Sequence, residues 1–230
     1  MPASWNSRGR DAVRADFDRI ARLLKPSTPH AREARLLARI PAGARILDVG
    51  CGAGDVAEAL AARAERVIAV DFSHEMVVCA RSRLIAFDHV EVIEADFMEL
   101  ELEAEAFDAV VSFATLHHLP YEAALERMAR VLHPGGILLV QDLFDATGLR
   151  EFPYNVASYL LNLTRLRPSA LDPAIRAAWR DHAHHDQFMT LREIRERVGR
   201  TLPGAVVRRH LGWRYELDWR KPWHDSALGA

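Results

Sequence analysis

Three glycines alternate with other residues in segment 46–54, which reads Ile-Leu-Asp-Val-Gly-Cys-Gly-Ala-Gly. Glycine lets a backbone turn tightly and lets a ligand approach without a Cβ in the way. A dinucleotide fingerprint would require glycine at position 55, where the chain has Asp55. Asp48, two residues before the first glycine, would repel a pyrophosphate and suits a cationic group instead, such as the ammonium of an amino acid. The loop therefore predicts a site for a small ligand that carries a positive charge.

Two further aspartates follow apolar runs. Asp71 ends the run 67–70, about 20 residues after the glycines, where a carboxylate can accept hydrogen bonds from a ribose diol. Asp96 follows the run 90–94, and a carboxylate beside the ring of Phe97 suits an adenine amino group. Each aspartate alone could be a helix cap or a turn residue. In order at strand ends, together with the glycine loop, they indicate a nucleoside site.

The composition restricts the class of protein. Of 230 residues, 50% are hydrophobic and 27% are charged, which is typical of a globular protein with a sizeable core. The 30 Lys and Arg against 32 Asp and Glu give a net charge of −2, which argues against nucleic acid as a partner. No apolar run approaches the roughly 20 residues that span a bilayer, and no signal segment begins the chain, so no membrane partner is expected. The two cysteines form neither a disulfide framework nor a metal site, so a cytoplasmic location is expected.

From residue 41 onward, short apolar runs alternate with helical patterns. This alternation predicts a doubly wound α/β sheet, mostly parallel, with right-handed crossovers. The predicted strands are 45–49, 66–70, 90–94, 109–113 and 137–140, and the predicted helices between them are 56–64, 74–85 and 122–132. Residues 97–105 are acidic and predict a short helix or a loop. Before this region, helices over 12–24 and 30–40 predict an N-terminal helical cap of residues 1–40 on a domain of residues 41–230.

The alternation breaks after the fifth strand. Residues 144–189 are too long for a simple connection and predict a helical insertion that acts as a lid, with helices over 154–166 and 173–183. Thr190 and Glu193 resemble a capping box at the start of a helix that ends near residue 200. Runs 205–210 and 213–219 then predict a hairpin. The alternating aromatic side chains of the last run indicate core packing or a contact between two copies in a homodimer.

Five blocks together resemble the class I S-adenosylmethionine-dependent methyltransferases, in particular the small-molecule group of type 11. The blocks are 46–54, 70–73, 94–97, 107–119 and 131–140, the last with a His-Pro-Gly-Gly turn before a strand. The resemblance covers roughly residues 40–143 and implies a Rossmann-like methyltransferase fold. In that fold the seven-stranded sheet is mostly parallel, with an antiparallel last strand supplied by the final hairpin.

The resemblance also implies a cofactor, S-adenosyl-L-methionine, and the residues that contact it. Its methionine portion would lie along Gly50, Cys51, Gly52 and Gly54, with Asp48 near the ammonium and Phe113 at the end of the fourth strand. Its ribose would be held by Asp71, with Phe72 beside it, and its adenine by Asp96 and Phe97.

Methyl transfer is an in-line displacement at a sulfonium with a neutral leaving group, so much of the rate comes from positioning and desolvating the nucleophile. An oxygen nucleophile usually also needs a base. His117 and His118 follow the fourth predicted strand, on the side where the methyl group is expected, and are the candidate catalytic residues. They could instead cap and pack this loop. No Asn/Asp-Pro-Pro-Tyr motif follows the strand, which argues against methylation of planar base or amide nitrogens.

The insertion contains the candidate acceptor-binding residues, Tyr154, Tyr159, His184 and His185. An aromatic lid suits a small hydrophobic or aromatic acceptor, although core packing would explain any one of these side chains as well. The histidines near residue 184 could reach the nucleophile or lie solvated at a helix end. Their spacing matches no metal motif, so no metal is predicted.

The leading hypothesis is methyl transfer to an oxygen, nitrogen or carbon atom of a small molecule. A methyltransferase of RNA or protein is one alternative, against which the balanced charge and the lack of a visible RNA-binding module argue. A cofactor-binding regulatory partner without catalysis is another, and salt-dependent tRNA binding or a stable protein complex would favour the respective alternative.

Overall fold

A computed structural model describes residues 7–24, 31–147, 151–165, 172–184, 186 and 188–223, without the side chains of residues 7, 8, 31, 32, 159 and 161–165. The helices are α1 Ser7–Ala21, α2 Ala31–Leu37, α3 Asp55–Ala61, α4 His74–Leu84, α5 Tyr121–Val131, α6 Phe152–Arg165, α7 Pro173–His182 and α8 Leu191–Thr201. The strands are β1 Arg45–Val49, β2 Arg66–Asp71, β3 Val90–Glu94, β4 Phe107–Phe113, β5 Leu132–Leu143, β6 Val206–His210 and β7 Arg214–Arg220.

The seven strands form one sheet in the order β3-β2-β1-β4-β5-β7-β6. Strands β1 to β5 are parallel, whereas β7 runs antiparallel to both β5 and β6. The predicted Rossmann-like methyltransferase fold is therefore confirmed, including its antiparallel last strand. The strand order reverses between β1 and β4, and ligands of open α/β sheets bind beyond the carboxyl ends of the strands at such a point.

Two apolar layers hold the sheet, one on each face. One packs α5 and α8 against the strands, and the other packs α2, α3 and α4 on the opposite face. Strand β1 lies between them, so its residues face helices on both sides and form a continuous apolar run, as parallel strands do. Only Asp48 interrupts this run, and it is also buried. A buried carboxyl group in a central strand is costly, whether it ionises or keeps its proton without a partner, which marks Asp48 as a residue with a function.

The two helical segments outside the βα alternation meet above the sheet. Helix α1 packs on α4 and on α7, with Ile20, Met76 and Ala178 in a shared apolar cluster. Asp18 of α1 also accepts hydrogen bonds from Ser73 Oγ (2.6 Å) and from the backbone N–H of Glu75 (3.2 Å) at the start of α4. The N-terminal segment and the insertion thus lie together near the carboxyl edge of β2.

Several sequence predictions differ from the structure in detail. The first helix begins at Ser7 rather than residue 12. Strand β5 begins at Leu132, which pairs with Phe107, and the Pro-Gly-Gly segment forms an irregularity before regular pairing with β4 resumes at Ile137. Residues 97–105 form a loop that starts with an Asp96 side chain accepting from the N–H of Met98 at 2.8 Å. The helices of the insertion and the capping box at Thr190 are confirmed. The division into a cap and a domain stays a prediction.

The aromatic side chains of the last strand belong to the core. Tyr215 and Trp219 are buried, and the Tyr215 hydroxyl lies 3.2 Å from the Tyr121 hydroxyl. Of the two alternatives for this face, the structure therefore has core packing, and a homodimer stays a prediction. No helix in the described ranges is long and apolar enough to cross a membrane.

Candidate active site

A cavity of about 400 Å³ opens at the carboxyl ends of β1, β2, β3 and β4. Ten of the predicted site residues line it: Asp48, Gly50, Cys51, Gly52, Asp71, Phe72, Asp96, Phe97, Phe113 and His118. Its size is that of a small-molecule site. Gly54 does not line the cavity. A Cβ at this position would lie 3.2 Å from Ala80 Cα, so the glycine lets the start of α3 approach α4 closely.

Asp48 is a buried carboxylate on the wall of the cavity. It is 1% exposed, and its Oδ2 has no hydrogen-bond partner among the described residues. Burial, and to a smaller extent the nearby carboxylate of Asp71, raises the pKa of Asp48 to about 8. A buried oxygen without a hydrogen-bond partner is costly unless a ligand donates a hydrogen bond to it. Because this oxygen borders a cavity, the natural complement is a positively charged hydrogen-bond donor on a bound molecule.

The glycine loop makes room for such a molecule. Gly50 has φ of 74°, and a Cβ there would lie 2.1 Å from Thr115 Oγ1, so only glycine fits against the β4 turn. Gly52 has φ of 52°, and a Cβ there would have no neighbour within 4 Å. Gly50 is therefore required by packing, whereas Gly52 borders empty space that a ligand can occupy.

Asp71 ends β2 at the floor of the cavity. Its Oδ2 accepts from the N–H of Gly52 at 2.8 Å and its Oδ1 from the N–H of Ser73 at 2.9 Å. Burial raises the pKa of Asp71, and these backbone hydrogen bonds oppose the rise. The two bonds hold the carboxylate in place, and each oxygen keeps a lone pair for a ligand hydroxyl.

An arginine from the N-terminal helix reaches the third acid. Arg10 Nη1 of α1 lies 2.8 Å from Asp96 Oδ2 and 2.8 Å from Glu99 Oε1, and Arg10 itself lines the cavity. Asp96 is separated from Arg10 by 86 residues, and Arg10 is one of 30 basic residues with no distinguishing local pattern. The sequence alone therefore missed this residue.

Apolar side chains cover the cavity. Val13, Phe17 and Leu24 come from the N-terminal segment and Trp179 from α7. Phe17 contacts Phe72 with ring centroids 6.2 Å apart and Trp179 with centroids 6.4 Å apart. These apolar side chains lie between the glycine loop and the solvent, and exclusion of water there would strengthen electrostatic interactions inside the cavity.

His117 and His118 lie in a 3₁₀ turn, Leu116–His118, directly after β4. His117 is held by the buried carboxylate of Asp142, whose Oδ2 accepts from the backbone N–H and whose Oδ1 lies 2.6 Å from Nδ1. Burial lowers the pKa of His117, but the carboxylates of Asp142 and Asp186 more than offset this, and the pKa lies above its ordinary value. The ring nitrogen Nε2 of His117 points toward Asp186 at 3.7 Å.

His118 stands beside this imidazole and reaches the cavity. The two rings have centroids 3.8 Å apart, and His118 Nε2 is buried with no hydrogen-bond partner among the described residues. Burial and the neighbouring rings of His117 and His182 lower the pKa of His118 well below its ordinary value. His118 is therefore neutral near pH 7.

The insertion splits the histidine cluster that the sequence shows near residue 184. His182 is buried, with Nε2 3.5 Å from Asp186 Oδ1, and Asp186 faces His117 and His118. His184 is exposed instead and lies away from the cavity. His185 and the side chain of Tyr159 lie outside the described residues.

Tyr154 is also exposed, and its ring lies under the guanidinium of Arg209 at 3.6 Å, outside the cavity lining. Among the described residues, Trp179 and Phe17 take the position that the sequence assigned to the lid tyrosines. Asp142, buried in β5, was not singled out from the sequence, because a lone aspartate in a strand has no local signal, whereas Asp186 stands next to the histidines near residue 184.

The chain is similar to known methyltransferases. A family model described as a methyltransferase domain matches residues 47–140. The chain is 35% identical over 195 residues to an uncharacterized methyltransferase of Mycobacterium tuberculosis, covering 83% of this chain and 94% of the relative. It is 31% identical over 214 residues to a demethylmenaquinone methyltransferase of Clavibacter sepedonicus, covering 88% of this chain and 87% of the relative. A crystal structure of an S-adenosylmethionine-dependent methyltransferase from Aquifex aeolicus has a TM-score of 0.59 at 19% identity, covering 89% of this chain and 97% of that one.

Proposed function

Because the chain belongs to the class I S-adenosylmethionine-dependent methyltransferases, we propose that it methylates a small apolar acceptor in the cavity above its glycine loop. The single observation that carries the proposal is the apolar cover formed by α1 and α7 over the cavity. A macromolecular acceptor would need an open surface beside the methyl group, whereas a cavity of about 400 Å³ suits a compact molecule.

The cavity residues fit the cofactor. The partnerless Oδ2 of Asp48 suits the ammonium of the methionine part, and Gly52 leaves the space that this part needs. Asp71 would accept from the ribose hydroxyls, and Asp96 with Phe97 would hold the adenine. When bound, S-adenosyl-L-methionine supplies an electrophilic methyl group on a sulfonium.

The acceptor is proposed to be an aromatic or quinone-like molecule. The cover contributes Phe17 and Trp179, flat apolar surfaces that suit a ring. One relative is named a demethylmenaquinone methyltransferase, which supports an acceptor of this class. The accepting atom, oxygen, nitrogen or carbon, is left open.

His118 and His117 are proposed to act on the acceptor. His118 lines the cavity, and His117 behind it is oriented by the buried carboxylate of Asp142. The neutral imidazole of His118 can orient a hydroxyl or amine of the acceptor. Two free thiols, Cys51 and Cys79, support the expected location in the cytoplasm.

Thermal unfolding with S-adenosylhomocysteine tests the cofactor site. Ligand at 100 times its Kd should add about 2.7 kcal/mol, which raises Tm by roughly 5–10 °C at this size. Asp71→Asn should abolish the rise, whereas Asp88→Asn, at an exposed position before β3, should keep it. A folded protein that shows no rise would overturn the cofactor assignment.

Turnover tests the acceptor. The protein with S-adenosyl-L-methionine should form S-adenosylhomocysteine when a short-chain demethylmenaquinol or a simple catechol is added, and not when bulk tRNA is added. Trp179→Ala should raise KM for the aromatic acceptor more than it lowers kcat, because Trp179 covers the acceptor side. Methylation of tRNA but of none of the small molecules would refute the small-acceptor proposal.

A further inference from the structure

Side chains from two separate segments converge beside the cavity, next to His118, which lines it. His117 and His118 come from the turn after β4, and Asp186 comes from the segment after α7. Each offers a ligand atom, and the three atoms lie within 4.8 Å of one another. The side chains are 7%, 10% and 9% exposed, so the cluster is nine-tenths buried. We propose that these three residues bind one divalent transition-metal ion, with Zn²⁺ as its representative.

The distances between the groups suit a shared ion. Asp186 Oδ1 lies 3.7 Å from His117 Nε2 and 3.8 Å from His118 Nδ1. These separations are too long for direct hydrogen bonds. They are close to the spacing between neighbouring ligands around an ion that has Zn–N and Zn–O distances of about 2.0–2.2 Å. An ion between the three atoms would need only small side-chain rotations.

His117 already has the support that metal-bound histidines have. Its Nδ1 lies 2.6 Å from Oδ1 of Asp142, which is fully buried and also accepts from the backbone N–H of His117 and of Leu143. A histidine that ligates a metal usually donates its other ring N–H to such a carboxylate, which fixes the ring and its tautomer. The arrangement leaves the Nε2 lone pair of His117 directed at the cluster.

His118 completes the cluster through Nδ1, the nitrogen that lies 3.8 Å from Asp186 Oδ1. Its other nitrogen, Nε2, is buried without a hydrogen-bond partner among the described residues, and its ring contacts the rings of His117 and His182. The negative charges of Asp142 and Asp186 face this group, and Arg214 is a neighbouring cation that opposes them. A divalent ion would neutralise the two carboxylates.

The ligand set selects the kind of ion. Two imidazole nitrogens and one carboxylate suit Zn²⁺, Fe²⁺ or Ni²⁺, whereas Mg²⁺ and Ca²⁺ prefer oxygen ligands. Three protein ligands also leave a coordination position open, which is typical of catalytic rather than structural zinc sites. His182 lies beside this carboxylate, with Nε2 3.5 Å from Asp186 Oδ1.

The role of the ion rests on the proposed function, although the site itself does not. Because His118 borders the cavity, an open coordination position on that side would be within reach of the acceptor. The ion would lower the pKa of an acceptor hydroxyl, whose proton passes to water. The oxygen then bonds to the methyl carbon while the carbon–sulfur bond breaks and leaves its electron pair on sulfur. The two imidazoles would thus act on the acceptor through the ion rather than by taking its proton themselves.

Zinc binding to the full chain tests the site directly. Calorimetric titration of metal-free protein with Zn²⁺ should show one ion per chain. Asp186→Ala and His118→Ala should abolish this binding, and Asp142→Asn should weaken it by about 10–100-fold, because Asp142 positions His117. His133→Ala is the matched control. It removes a histidine that is also paired with an aspartate (Nε2 to Asp108 Oδ1, 2.7 Å) but that has no third ligand among the residues that the structure describes.

Binding of S-adenosylhomocysteine shows that each variant is folded. Its thermal shift should be unchanged in Asp186→Ala, so loss of zinc with an intact shift supports the site. The proposal is overturned if the wild-type chain shows no saturable zinc binding, or if both ligand variants bind zinc as the wild type does. A chain that binds zinc but not S-adenosylhomocysteine would refute the proposed function and leave the metal site supported. Turnover that a chelator does not reduce would overturn the catalytic role of the ion.

Discussion

Binding of S-adenosylhomocysteine should expel a proton from Asp48. Burial, with a smaller contribution from Asp71, raises the pKa of this carboxyl to about 8, so the free protein holds it mostly protonated at pH 7. The ammonium of the ligand carries a positive charge, and an adjacent positive charge favours the ionised carboxylate. The complex therefore forms with the carboxylate charged, and the proton leaves to the solvent.

The size of the effect follows from the pKa. A group with a pKa of about 8 is about 0.9 protonated at pH 7 and about 0.1 protonated at pH 9. Proton release per bound ligand should fall from about 0.9 to about 0.1 between these two pH values. Since binding must remove a proton, affinity should rise with pH up to about 8. Going from pH 8 to pH 6 should weaken it about 50-fold, or about 2.3 kcal/mol.

Isothermal titration calorimetry measures this release. At each pH the titration is run in two buffers of different ionisation enthalpy, and the difference in observed heat gives the number of protons released. Asp48→Asn has no proton to release there, so its release at pH 7 should fall close to zero and its affinity should lose the pH dependence. Asp88→Asn, exposed and remote, should behave as the wild type does.

The assay can refute the reasoning in two ways. If the wild-type chain releases no proton at pH 7, Asp48 is already ionised in the free protein or stays protonated in the complex. If Asp48→Asn releases as many protons as the wild type, the ammonium is not bound at this carboxylate. Either result would remove the main electrostatic argument for the orientation of the cofactor in the cavity.

Four substitutions give further expected outcomes. Gly50→Ala should lower Tm by about 4–16 °C in a fluorescence melt. A Cβ at this position would lie 2.1 Å from Thr115 Oγ1, and the residue has φ of +74°, which together cost about 2–4 kcal/mol of stability. An unchanged Tm would contradict the contact with Thr115. In Gly52→Ala the new Cβ meets no such neighbour, so Tm should stay closer to that of the wild type. Calorimetry should nevertheless show S-adenosylhomocysteine binding weakened about tenfold or more, because the alanine side chain enters the cavity. Wild-type affinity would disprove this. Arg10→Ala should weaken S-adenosylhomocysteine binding by up to about fivefold, because the ion pair with Asp96 that holds α1 over the cavity is lost. An affinity equal to that of the wild type would show that this ion pair does not close the site. Thr190→Ala removes the capping box of α8, which costs about 1 kcal/mol of stability, so Tm should fall by about 2–4 °C while ligand affinity stays unchanged. A larger fall in Tm would indicate that Thr190 does more than cap the helix.

The elements of the sheet were predictable because their signals are local. Strands β1 and β3 have the predicted bounds, since a buried parallel strand is a continuous apolar run between turn residues. The start of β5 was missed by five residues, because His-Pro-Gly-Gly reads as a turn. In the structure Leu132 already pairs with Phe107 of β4, and Gly135 and Gly136 exchange backbone hydrogen bonds with Lys221, just after β7. Pairing with neighbours that are distant in sequence decided that boundary.

The cofactor side of the cavity was predictable for a similar reason. Parallel strands place their carboxyl ends at one edge, so a glycine loop after β1 and acids after β2 and β3 must lie near one another once the order of the sheet is known. Gly54 shows the limit of this reasoning. Its spacing matches the other glycines, but its position serves the packing of α3 on α4.

The sequence by itself determined which elements form, where the glycine loop turns and which acids follow the strands, because hydrophobic period and turn chemistry act over a few residues. Only the tertiary structure decided that Arg10 reaches Asp96 and that His182 and Asp186 turn inward to the histidines after β4 while His184 faces solvent. The physical reason is that these contacts depend on how α1 and α7 pack over the edge of the sheet. That packing is set by burial summed over many residues that are distant in the chain.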